Sequence, residues 1–166
     1  MKGFKSLTVA AERENLFMKT TDVDNSIHTN FEGLKHDPIS NAIIAVYVPT
    51  TKTALCSTGD GDCLFNSFSI HQLGNESKSI ELRYRCTIEM VINQERILKH
   101  PMYPALLMCS PDYEDACLEC SQIGKSTSVF CMMALSNLLN VNVESVYPAV
   151  GSMIMPLCLC TQLWAI

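Results

Sequence analysis

The chain has 166 residues, 48% of them hydrophobic and 17% charged, and its 12 basic and 17 acidic residues leave a net charge of −5. That length suits one domain with a real core, and that apolar content excludes wholesale disorder. Basic residues scattered under a negative net charge argue against a nucleic-acid binder that works by neutralising phosphates. The longest apolar runs, such as 42–48, fall far short of the roughly 20 residues a membrane span needs.

In chain order, residues 1–38 are polar and mixed, and read as a flexible N-terminal segment with one weak helix near Val9 to Met18, ahead of a domain over 39–166. The N-terminus carries no apolar stretch of signal-peptide type, so an intracellular location is expected. The nine cysteines are then expected as reduced thiols, most of them small buried hydrophobes. Ala42 to Val48 is a β-branched run closed by Pro49 and predicts a buried strand. A loop rich in Thr, Ser and Gly follows.

Four helical stretches come next. Cys63 to Leu73 ends on Gly74, a natural C′ residue. Ser77 to Asn93 carries an apolar stripe at 80, 84, 87, 88 and 91. Ser110-Pro111 predicts a capped start for the stripe Tyr113, Ala116, Cys117, Cys120. Ser126 is expected to cap a last helix with Val129, Phe130, Met133 and Leu138 on its inner side. Val141, Val143 and Tyr147 then alternate as a strand, and Met153, Met155, Leu157 and Leu159 alternate again. Helices between strands predict an α/β (α+β) domain, a small sheet flanked by helices.

The segment Gly59-Asp60-Gly61-Asp62-Cys63-Leu64-Phe65 places a thiol at the first residue of a helix. Unpaired backbone N–H groups and the helix dipole there stabilise a thiolate and can hold an oxyanion. Gly59 and Gly61 allow the positive φ such a loop needs. A buried structural cysteine after an ordinary turn is the alternative on spacing alone.

Gly59 to Ser67 resembles the nucleophile motif of the ovarian-tumour (OTU) domain cysteine proteases, in which an Asp-Gly-x-Cys-Leu-aromatic block opens the central helix. Gly74-Asn75-Glu76-Ser77 with Glu81-Leu82-Arg83, and Ala134-Leu135-Ser136-Asn137 with Val143 to Pro148, resemble later segments of the vertnin-like subgroup. The resemblance covers about Ala42 to Val150. It implies a thiol peptidase acting on isopeptide bonds to ubiquitin, with ubiquitin or a ubiquitinated protein as partner and no cofactor. It makes Cys63 the nucleophile and Asp60 the family's acidic residue three before it. The backbone N–H groups of Asp60 to Cys63, through Gly61 and Asp62, become the oxyanion loop.

The family's general-base histidine lies near the C-terminus. The four histidines here are His28, His36, His71 and His100, none of which can take that role by position. A thiol with an ordinary pKa of about 8.5 is only a few per cent ionised at neutral pH without a base. The reading is therefore an OTU-like deubiquitinase domain that is catalytically incomplete, its final strands missing or altered, with a non-catalytic OTU-like interaction module as the alternative.

No metal site is expected. Cys117 and Cys120 with Cys158 and Cys160 invite zinc, but lie on a helix and a strand rather than on paired turns, and read as core thiols. Asp60 and Asp62 lack a third anchor for Mg²⁺ or Ca²⁺. Gly124-Lys125-Ser126 lacks the rest of a phosphate loop. Arg83, Arg85, Arg96 and Lys99 read as a solvated basic face.

Overall fold

A computed structural model describes residues 2–18, 32–47, 53–108, 110–144 and 158–159. It is mostly helical. The helices are α1 (Lys2–Met18), α2 (Pro38–Tyr47), α3 (Cys63–Leu73), α4 (Ser79–Ile92), α5 (Gln94–Leu98), α6 (Tyr103–Leu106), α7 (Tyr113–Cys120) and α8 (Val129–Leu139). The strands β1 (Val143–Glu144) and β2 (Cys158–Leu159) pair antiparallel, Val143 opposite Leu159 and Glu144 opposite Cys158. An isolated bridge joins His36 to Leu55.

The expected α/β (α+β) architecture, a small sheet flanked by helices, is thus overturned. The buried strand expected over 42–48 lies mostly within helix α2. The reason sits just upstream. Asp37 Oδ1 accepts the N–H groups of Ile39 and Ser40, and the Ser40 hydroxyl donates to Asp37 Oδ2 at 2.6 Å. With Pro38 at the first helical position, this is a complete N-terminal cap. The Ser40 hydroxyl and backbone N–H hold the Asp37 carboxyl below its ordinary range. β-branched residues lower helix propensity only slightly, so a strong start signal decides the segment. The alternating Met153, Met155 and Leu157 lie outside the described residues.

Helix α4 is the hub, packed against α1, α3, α5, α7 and α8. Its buried face is Leu82, Arg83, Cys86, Thr87, Ile88, Met90 and Val91. Of the expected stripe, 87, 88 and 91 are buried, whereas Ile80 and Tyr84 are exposed and line a cavity shared with α1. Helix α1 starts seven residues before the expected Val9 and places Phe4 and Ala11 in the core. Across the molecule, Tyr113 meets Phe130 edge-on at 5.1 Å and donates its hydroxyl to the Met90 carbonyl at 2.7 Å. That single side chain ties α7, α8 and α4.

Two caps differ from expectation. Asp112, not Ser110, caps α7 and accepts the Glu114 N–H. Ser128, in extended conformation, precedes α8 in place of Ser126. Asn137 on α8 hydrogen-bonds Glu89 on α4; burial nonetheless pushes the Glu89 carboxyl up, against that bond and the Arg96 charge. No helix among the described residues is long and apolar enough to cross a membrane.

Candidate active site

Cys63 is the first residue of α3 and is exposed. Phe65, two residues on, is fully buried, so it anchors the first turn while the thiol faces out. The loop before it is closed by side chains. Asp60 Oδ1 accepts the Asp62 N–H at 3.0 Å and the Asn66 amide at 3.3 Å. The same amide donates to the Thr58 carbonyl at 3.0 Å. Glu76 receives the Thr58 N–H and hydroxyl at 2.7 and 2.8 Å. Asp60 thus acts here as an organiser of the loop and of the first turn of α3. The Asp62 N–H, one of the candidate oxyanion donors, is already engaged by it.

Asp62 turns inward. It is 5% exposed, and its Oδ1 is paired with the Arg83 Nε. Its Oδ2 accepts the Gly124 N–H at 2.9 Å. Both carboxylate oxygens therefore have protein partners, which leaves Asp62 poorly placed to ligate a cation.

Arg83 is the residue the sequence hid. Read there as part of a solvated basic face, it is only 2% exposed. Its Nη1 donates to the carbonyls of Cys120 and Gln122 at 3.0 and 2.8 Å, with a longer 3.4 Å approach to Glu119. Its Nη2 donates to Gly61 and Lys125 at 2.9 and 2.7 Å. The guanidinium also lies 4.6 Å above the Phe65 ring, a cation–π contact. One planar fork thus joins the cysteine loop, α3, α4 and the turn after α7, the geometry that favours arginine over lysine. The only advance signal was Arg83's place between the apolar positions Leu82 and Cys86, which charge alone outweighs in any pattern reading.

The two glycine turns meet face to face. Gly61 has φ +89° and Gly124 φ +77°, and a Cβ built at Gly61 would overlap the Gly124 carbonyl. The glycine at 61 is required twice, for its backbone angle and for the approach.

On the outer side, the Ser67 hydroxyl donates to the Cys63 carbonyl at 2.8 Å and lies 3.1 Å from the Ser57 hydroxyl. A recess of about 240 Å³ lies beyond it, lined by Ser67, Phe68, His71, Val141, Asn142 and Val143. His71 is eight residues beyond Cys63 on the same helix, about 12 Å along its axis. His36 pairs its backbone with Leu55, and its carbonyl accepts from the Cys56 thiol at 3.4 Å. His28 lies outside the described residues. Among the described residues no hydrogen bond joins a histidine to the Cys63 thiol.

A cysteine opening a helix from a glycine-aspartate loop is the feature that resembled the OTU class, and comparison with protein families bears that resemblance out. Residues 54–110 match the family described as "Vertnin, OTU domain", which supports an OTU-type, vertnin-like assignment for this part of the chain. The match takes in the loop and α3 to α6. It is narrower than the resemblance read from the sequence, and α7, α8 and β1 lie outside it. No curated protein matches the chain.

Proposed function

We propose that this is an OTU-like domain of deubiquitinase type. Cys63 reacts with the carbonyl at a ubiquitin C-terminus, and no histidine is joined to it among the described residues. The observation that carries the reading is the outward-facing Cys63 at the head of α3, on a loop held from behind by a buried ion pair. The helix N-terminus stabilises negative charge at that sulfur. With no histidine hydrogen-bonded to the thiol among the described residues, no such partner takes its proton as it attacks, and turnover is slow.

The test is a ubiquitin carrying a C-terminal electrophile, which needs a thiolate but no general base for hydrolysis. Labelling of Cys63, abolished by Cys63→Ser, is the expected result, together with little or no cleavage of ubiquitin chains. Unlabelled Cys63 in folded protein would rule the reading out. His71's place two turns along α3 favours a second reading, a non-catalytic ubiquitin-binding module. It expects binding that Cys63→Ala leaves unchanged and no covalent product.

A further inference from the structure

Three thiols far apart in sequence converge in the core: Cys86 on α4, Cys120 at the end of α7 and Cys131 on α8. All three are buried, and their sulfurs lie within 4.8 Å of one another. The Cys86 and Cys120 sulfurs are 3.9 Å apart. A metal held by three sulfurs in a plane, at metal–sulfur distances of about 2.3 Å, separates those sulfurs by about 4 Å. The triad is therefore close to the spacing a trigonal ion requires.

Its surroundings resemble a ligand shell rather than ordinary packing. The Met90 thioether is 3.8 Å from the Cys131 sulfur. The Thr87 hydroxyl, which donates to the Arg83 carbonyl at 2.9 Å, also lies 3.3 Å from the Cys120 sulfur, and the Ser128 hydroxyl is 3.8 Å from the Cys131 sulfur, where either could donate. Hydroxyls at this distance can turn toward metal-bound thiolates and stabilise them. Apart from these, the donors are all sulfur, which selects soft ions. Three thiols with a nearby thioether suit Cu(I), whereas structural Zn²⁺ takes four ligands, all nitrogen, sulfur or carboxylate oxygen. A largely apolar cavity of about 260 Å³ between α1, α4 and α7 is lined by Thr87, Ile88 and Cys120 itself.

We propose that Cys86, Cys120 and Cys131 form a buried three-sulfur site for Cu(I) that staples α4, α7 and α8 together. Each thiol that becomes a ligand gives its proton to solvent, and no electron changes hands.

The test loads the whole, reduced protein with Cu(I) anaerobically in the presence of a competing Cu(I) chelator. One ion per chain is expected, with three sulfur neighbours in its X-ray absorption spectrum. Cys131→Ala and Cys86→Ala are each expected to lower affinity at least about 100-fold. Cys63→Ser and the Cys158→Ser/Cys160→Ser pair should leave it unchanged. Two or fewer sulfur neighbours in the unaltered protein would overturn the proposal, and that result does not depend on any variant folding. So would affinity that survives Cys131→Ala or is lost with Cys63→Ser, either of which marks adventitious binding to other thiols.

Discussion

Replacing Arg83 with methionine is expected to cost about 3–5 kcal/mol of folding stability, the range for breaking a buried ion pair from one side. The guanidinium is removed while Asp62 stays buried with a charge it can no longer share. The carbonyls of Gly61, Cys120, Gln122 and Lys125 lose their donor together. Methionine keeps the bulk above Phe65, so the loss reports the polar network and not a cavity. For a chain of this length, such a loss lowers the melting temperature by on the order of 10 °C. Urea unfolding should show a lower midpoint at unchanged slope. Arg83→Lys is expected to recover little, because an ammonium cannot reach acceptors on two sides of a planar fork. A double change, Arg83→Met with Asp62→Leu, should recover part of the loss by removing the stranded charge. A single Arg83→Met within about 0.5 kcal/mol of the unaltered protein would show that the clamp is not what holds the loop.

Gly61→Ala is the second large effect expected, at about 3 kcal/mol or more. Backbone strain at positive φ contributes about 1–3 kcal/mol. The new methyl must also force the Gly61 and Gly124 turns apart, since both sides of that contact are backbone with no side chain able to give way. Parting them stretches the Arg83 bonds to Gly61 and Lys125. Two neighbours calibrate the result. Gly124→Ala meets only the Asp60 carbonyl, at 3.5 Å, and should show the backbone term alone. Gly59→Ala meets nothing within 4 Å and should be near neutral or slightly stabilising. Thermal or urea unfolding of the three variants checks the order 61, then 124, then 59; a Gly61→Ala no worse than Gly59→Ala would contradict the contact.

The helices around the cysteine were legible because their signals are local. Cys63 to Leu73 has Gly74 as its stop, and the structure confirms both, with Gly74 left-handed at φ 74°. Ser77 to Asn93 encloses α4. The β-branched composition of 42–48 points to a strand, whereas the Asp37-Pro38 cap ahead of it decides for a helix. That segment, together with the alternating stretches at 141–147 and 153–159, turned a helical domain into an expected sheet. The site was legible only on its outer side. The position of Cys63 and the glycines follows from short-range spacing. The Arg83 clamp joins residues 21 to 42 positions apart and the cysteine triad residues 11 to 45 positions apart, and no periodicity marks such pairs. Cysteine adds its own difficulty, since a thiol packs as a small hydrophobe wherever it is buried. By pattern Cys120 groups with Cys117, Cys158 and Cys160, whereas its neighbours in space are Cys86 and Cys131.

The central claim is that one thiol is presented outward from a loop locked by buried charge while the core thiols are sealed. Residue-resolved alkylation of the native protein with iodoacetamide tests it most directly. Cys63 is expected to be modified at the rate of an accessible thiol, with Cys86, Cys117, Cys120 and Cys131 protected until the protein unfolds. Protection of Cys63 alongside those four, or equal modification of all five under native conditions, would contradict the account.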